Sequence, residues 1–331
     1  MPLRVVARRE DVAKGVEFEI VAILIEASAR HFARGADMPA DNASEFPPIV
    51  LTFAASDPSG GAGLQADLLT LASMGCHPLS VVTALTVQDS AGVEGVLAID
   101  SDWVADQARC LLEDMPVDAI KIGVMGSVEN IAAIAEIVSD YPDLPLIFDP
   151  VLASGRGDEL ASDEMTRAMR ELLLPQTTIL TPNSMEARRL ADGDDDDEPA
   201  LEVCAERLVA TGCEYVLVTG THEPTREVVN TLYAKSGVVR VDSWQRLPGS
   251  YHGSGCTLAS AIAAMLANGL ELPQAVREAQ DYTWNTLKKA YRPGMGQFLP
   301  DRLFWAREEA GARAEDAASE DAPRADARSS H

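Results

Sequence analysis

From residue 49 to residue 290 the chain alternates short apolar, β-branched runs with segments of helical periodicity, and few folds satisfy that pattern. The runs at 49–55, 79–87, 93–99, 119–122, 146–148, 178–180 and 215–219 read as strands: they are short, rich in Val, Ile and Leu, and bounded by Gly, Pro, Asp or Asn. Between them, 64–74, 102–114, 127–140, 162–173 and 200–211 carry apolar residues at helical intervals, as helices with one buried face do. A crossover helix returns each strand parallel to the one before it. The expected fold class is therefore α/β, a mainly parallel central sheet with helices on both faces. A hairpin of 230–234 with 238–242 and helices at 258–268 and 273–290 complete the expected domain.

The two ends read differently. Residues 1–47 hold one apolar patch, 18–29, before a polar, Pro-containing stretch, and are expected to be an N-terminal extension of the domain at 48–298. From 306 to 331, alternating Ala, Glu, Asp and Arg predict a disordered tail. The acidic run 192–198 lacks the spacing of a calcium loop and reads as a solvated turn.

Composition removes several function classes. With 52 acidic against 27 basic residues the formal charge is -25, which argues against a nucleic-acid surface, since phosphate backbones call for clustered Lys and Arg. No apolar run reaches the length of a membrane span, so no membrane partner is expected. Five widely spaced cysteines without a C-x-x-C pair suit a reducing cytoplasm.

Chemistry concentrates where Gly-rich loops leave strand ends, the edge at which open parallel sheets bind ligands. The stretch Gly253-Ser254-Gly255-Cys256-Thr257-Leu258 is a loop that becomes a helix. Its free N–H groups and the helix dipole make a site for an anion, and the same field favours a Cys256 thiolate that could serve as base. Strand 49–55 runs into Ser56-Asp57-Pro58-Ser59-Gly60-Gly61-Ala62-Gly63, and Gln88 ends the next strand with an amide suited to a polar heterocycle. Asp149 and Glu186 supply hard oxygen ligands for the Mg²⁺ that an acidic protein needs in order to hold ATP. Asn183 and Glu186 also stand in capping-box register, a structural role that competes with ligand binding.

These segments, with 82–88, Lys121-Ile122-Gly123, Asp149-Pro150-Val151 and Thr181-Pro182-Asn183-x-x-Glu186-Ala187, resemble the hydroxymethylpyrimidine/phosphomethylpyrimidine kinases of thiamine biosynthesis, within the ribokinase-like superfamily. The resemblance covers about 48–296. It implies a ribokinase-like three-layer sandwich and ATP-dependent phosphorylation of 4-amino-5-hydroxymethyl-2-methylpyrimidine, then of its monophosphate, with ATP and Mg²⁺ as cofactors and a homodimer as the common assembly. By position it assigns Asp67, Gln88, Ala55, Gly63, Val124 and Val151 to the pyrimidine, and Asn183, Thr219, Gly220 and Arg156 to the nucleotide. Asp149 and Glu186 fall to the metal, and Gly253, Ser254, Gly255 and Cys256 to catalysis.

Three departures from the family pattern stand out. Ala55 replaces a usual Gly, Ser154-Gly155-Arg156-Gly157 replaces Ala-Lys-Ser-Gly, and Thr219-Gly220-Thr221-His222 replaces Lys-Gly-Gly-His. Two lysines able to meet nucleotide phosphate are thus missing, and Arg156 is the candidate substitute for one, although a planar fork and a compact ammonium are not equivalent. A pyridoxal kinase of the same fold and a non-catalytic pyrimidine-binding regulatory domain are the alternative readings.

Overall fold

In the computed structural model, which describes residues 46–191 and 199–307, β1 (Ile49–Ser56) is buried along nearly its whole length on both faces. That is the signature of a strand at the centre of a doubly covered sheet. β2 (His77–Gln88) and β4 (Ala119–Ile122) flank it, both parallel. β5 (Leu146–Phe148), β6 (Ile179–Leu180) and β7 (Tyr215–Thr219) extend the parallel array. β3 (Val93–Ala98) at one edge, and β8 (Glu227–Ala234) with β9 (Gly237–Gln245) at the other, run antiparallel. The strand order is β3-β2-β1-β4-β5-β6-β7-β8-β9. The chain leaves β1 toward β2 and then crosses back to β4 on the other side of β1, so a topological switch point opens at the carboxyl ends of β1 and β4.

Helices α1 (Gly63–Ser73), α7 (Ser254–Ala267) and α8 (Leu272–Lys288) pack together on one face. Helices α2 (Ser101–Asp114), α3 (Val128–Ser139), α4 (Asp163–Ala168), α5 (Ser184–Ala191) and α6 (Leu201–Ala210) lie on the other, over a core that includes Phe53, Ile120, Ile134, Phe148 and Leu180. The expected three-layer arrangement is present. Ser127 caps α3 by accepting from Asn130 N, and Ser162 caps α4 by accepting from Met165 N.

Three expectations change. The helix expected over 162–173 is α-helical only to Ala168, then widens to a π turn at Met169–Leu173 before a short 3₁₀ turn at Leu174–Gln176. The helix expected to begin at 258 begins at Ser254, so the whole Ser254-Gly255-Cys256 triplet is its first turn. The domain does not stop at 298. Leu299, Asp301, Arg302, Phe304 and Trp305 are all buried, with Trp305 Nε1 donating to Ser73 Oγ at 2.9 Å on α1. The extension over 1–45, the acidic run 192–198 and the tail from 308 lie outside the described residues.

Candidate active site

Loops from the carboxyl ends of β1, β2, β4, β5, β6 and β7 meet the start of α7 around one cavity of about 520 Å³. Ala55, Gly63, Gln88, Val124, Asp149, Val151, Asn183, Glu186, Thr219 and Gly253 to Cys256 all line it, so most residues assigned from sequence do share one chamber. Gln88 and Cys256 open into the same space. Neighbouring strands lie about 4.8 Å apart, so β2 and β9, far apart in the sheet order, place the cavity's two ends well separated.

The turn at the centre is built by close backbone approach. Gly253 has φ of 77°, in the left-handed region, and a Cβ there would run into the Gly61 carbonyl. Only glycine fits. The first intrahelical bond of α7 is Thr257 N to Gly253 O, so the N–H groups of Ser254, Gly255 and Cys256 have no partner within the helix and face the cavity end. Four such donors cluster at any helix start, and here they meet a cavity instead of bulk water.

Cys256 is buried, and burial pushes its thiol up to about 12 despite the Lys121 cation and a Gly63 backbone hydrogen bond that both favour the thiolate. The expected ready thiolate is therefore corrected: desolvation outweighs the field of the helix start. Asp149 is pushed up to about 6 by burial, partly relieved by Lys121. Glu186 rises further, to about 8, because it is buried and faces the Asp149 charge.

Glu186 forms the reciprocal cap. Its Oε2 accepts from Asn183 N at 2.9 Å, and Asn183 Oδ1 accepts from Met185 N at 2.9 Å and Glu186 N at 3.0 Å. Glu186 Oε1 accepts from Leu152 N at 3.3 Å. By contrast, Asp149 Oδ2 is buried without a hydrogen-bond partner. A buried carboxylate oxygen with nothing to bond is costly unless a ligand satisfies it. Oxygen donors from one or two carboxylates are what Mg²⁺ takes beside waters and phosphates, so the residues present fit that ion.

Three assigned residues sit elsewhere. Asp67 is fully buried below the cavity floor, with Lys121 Nζ 2.9 Å from both of its oxygens, Ser260 Oγ donating to Oδ1 at 2.7 Å and Thr52 Oγ1 to Oδ2 at 2.8 Å. Its acceptor capacity is used, so it cannot read a pyrimidine edge. Gly220 presses against the backbone of Val229, and its N–H is taken by Asn230 Oδ1 at 3.1 Å, which removes it as a phosphate donor. Arg156 is exposed and does not line the cavity; it donates to the Ala91 carbonyl in the β2–β3 turn.

Sequence reasoning missed several lining residues. His252 Nε2 lies 2.9 Å from Asp57 Oδ2, which also accepts from Ala62 N at 2.6 Å. Burial would raise Asp57, but these bonds and those from Ser59 hold its carboxyl below the usual range. Asp57 thus organises the first Gly-rich loop. The signal was available, since His252 directly precedes Gly253, but its partner is far away in sequence. At the far end, Trp244 and Trp284 have ring centroids 6.3 Å apart, and Gln280 Oε1 accepts from Asn230 Nδ2 at 2.8 Å and Trp244 Nε1 at 3.0 Å. No motif in the sequence marks that wall.

A doubly wound sheet, a switch-point cavity and a Gly-rich helix start beside two carboxyls define the class: a phosphotransferase of the ribokinase-like fold. Similarity narrows it. The family model for phosphomethylpyrimidine kinase matches residues 57–301. A hydroxymethylpyrimidine/phosphomethylpyrimidine kinase of Streptomyces coelicolor is 38% identical over 254 residues, covering 76% of this chain and 92% of that protein. One of Mycobacterium tuberculosis is 40% identical over 261 residues, covering 78% and 94%. Among solved structures, an ADP complex of Bacillus subtilis pyridoxal kinase superposes with a TM-score of 0.70 at 28% identity, covering 77% of this chain and 97% of that one. A phosphomethylpyrimidine kinase from Clostridium difficile gives 0.62 at 33% identity, covering 71% and 97%. The chain belongs to the phosphomethylpyrimidine kinase family.

Proposed function

We propose that this protein transfers the γ-phosphoryl group of ATP to the hydroxymethyl oxygen of 4-amino-5-hydroxymethyl-2-methylpyrimidine, and in a second turnover to the resulting monophosphate. The observation that carries the reading is that Gln88, Asp149 and the first turn of α7 open into one cavity. Gln88 Nε2 donates to Thr86 Oγ1 at 2.7 Å, which leaves the carbonyl end of the amide to accept from an exocyclic amino group. Val124 and Val151 line the same cavity, which supports assigning them to the ring faces.

The nucleotide takes the other half. Trp244, Leu247, Trp284 and Leu287 offer an apolar wall for a purine, and Asn183 and Thr219 line the same cavity. Mg²⁺, when bound, neutralises charge on the phosphates, and Asp149 and Glu186 are the residues that would hold it. The N–H groups of Ser254, Gly255 and Cys256 receive the oxygens of the transferring group, where charge is spread over several oxygens. Cys256 is the group positioned to accept the hydroxymethyl proton. Its thiol, raised to about 12, is protonated in the free enzyme, so it can take that proton only by passing its own to the Asp149 carboxylate, with which it shares a side-chain hydrogen bond, and both transfers accompany bond formation to phosphorus.

Release of ADP with the hydroxymethylpyrimidine as acceptor tests the reading, and phosphorus NMR of the products separates the first transfer from the second. One observation favours pyridoxal as a second acceptor: a pyridoxal kinase superposes at a higher TM-score than the phosphomethylpyrimidine kinase, 0.70 against 0.62. A competition assay decides. Turnover of pyridoxal that the hydroxymethylpyrimidine cannot suppress would replace the first reading with the second.

A further inference from the structure

Arg302 is a buried cation that no motif singled out, and the family match ends at residue 301, just short of it. Its guanidinium lies behind the anion-binding turn. Nη2 donates to Gly61 O at 2.6 Å, Nη1 to Gly60 O at 3.3 Å, and Nε to Thr257 Oγ1 at 3.1 Å. Thr257 Oγ1 in turn donates to Gly253 O at 2.8 Å. One side chain therefore ties the first Gly-rich loop to the helix start that faces it, and reaches the residue whose left-handed conformation shapes the turn.

None of the three acceptors carries a charge. Burying a guanidinium whose hydrogen-bond acceptors are all neutral is expensive, and burial pulls Arg302 below the usual arginine range although the Asp67 charge opposes it. The site is also held rigidly. Ser73 Oγ donates to Arg302 O at 2.6 Å, Tyr282 Oη donates to the same carbonyl at 2.8 Å, and Trp305 Nε1 anchors Ser73. An arrangement that spends this much order on a cation whose carboxylate neighbour, Asp67, is already engaged by Lys121 is suited to a negative charge that arrives with substrate.

The geometry points to Arg302 as a positioning residue for phosphoryl transfer, acting through Gly61 and Thr257 to hold the Gly253–Cys256 turn in register and to lend it a buried positive charge. This rests on the kinase reading above. It does not touch substrate, since it does not line the cavity. Its effect belongs in the transition state, where charge on the transferring group meets the turn, and less in ground-state binding.

The test compares wild type, Arg302→Met, Arg302→Lys and, as a purely structural control on the opposite face of the sheet, Leu208→Ala, measuring kcat, KM for each substrate and the thermal midpoint. Arg302→Met is expected to lower kcat roughly tenfold or more while moving either KM by less than about threefold, the pattern of an interaction realised in the transition state. Arg302→Lys, which keeps the charge but not the fork, should recover part of that loss. Leu208→Ala should lower the midpoint and leave kcat alone. Should Arg302→Met not fold, Arg302→Lys alone decides: reduced kcat at unchanged KM supports the role, and wild-type kcat overturns it. Equal kcat in Arg302→Met and wild type overturns it too, as does a kcat loss that merely tracks the midpoint across all three variants. No ADP release by wild type at all would overturn the kinase reading and this role together.

Discussion

Both carboxylate oxygens of Asp67 lie 2.9 Å from Lys121 Nζ, and neither side chain is exposed. Burial opposes the Lys121 charge, but Asp67, with Cys256 and Asp149 nearby, holds its ammonium above the usual range. The pair joins α1 to β4 directly under the first turns of α7, where Ser260 also reaches it.

Removing one member leaves the other as an uncompensated buried charge. Asp67→Ala is expected to cost about 3–5 kcal/mol of stability, read as a lowered denaturation midpoint, while the surviving folded enzyme keeps its KM for the pyrimidine. A raised KM at unchanged stability would instead return Asp67 to the substrate.

Gln88→Leu keeps the volume of the side chain and removes the acceptor. With the exocyclic amine then unpaired, KM for the hydroxymethylpyrimidine should rise by about one to two orders of magnitude, and KM for ATP should hold. Steady-state kinetics with each substrate varied in turn checks it.

Cys256→Ala tests proton acceptance and thiol packing together. We expect kcat to fall about 10²-fold or more. The raised thiol predicts a second property. Alkylation of Cys256 near pH 7, followed by mass spectrometry, should be far slower than that of exposed Cys110.

Asp149 and Glu186 give the protein a signed pH dependence. Their folded-state values, about 6 and about 8, exceed those of an unfolded chain, so both are protonated in the native state where the unfolded chain has already ionised. Their contribution to stability is full below about pH 4 and is lost as pH climbs through about 6 and then about 8. Mg²⁺ with nucleotide requires the ionised forms, so it should raise the thermal midpoint more near pH 8.5 than near pH 5.5. Equal shifts at the two pH values, or a larger one in acid, would remove this pair from metal binding.

What could be read from sequence was whatever depends on local order along the chain. The strands ending near 88, 148 and 180 were placed correctly, and with them the loop residues Asp149 and Asn183, because alternation fixes which residue leaves the sheet and at which edge. The helix start was placed several residues late because Ser254 and Gly255 look like loop, although the left-handed Gly253 turns the chain so that the helix opens at Ser254. Asp67 was misassigned for a different reason. Its partner Lys121 lies on another element, and only three-dimensional packing shows that its oxygens are already used. Gly220 and Arg156 fell to the same blindness, since Asn230 and Ala91 capture them from the far side of a hairpin and a turn. Trp284 lies within the expected helix 273–290 and Trp244 just past the expected strand 238–242, but nothing in either run marks a ligand wall, and Arg302 lies beyond the expected domain, so neither role was visible before the fold was.

The shared cavity has a stereochemical consequence. If acceptor and donor bind as proposed, on either side of the start of α7, the phosphorus would pass directly from one oxygen to the other without a stop on the protein. Such a transfer turns the phosphorus inside out, and an isotopically chiral γ-thiophosphate should emerge with its handedness reversed.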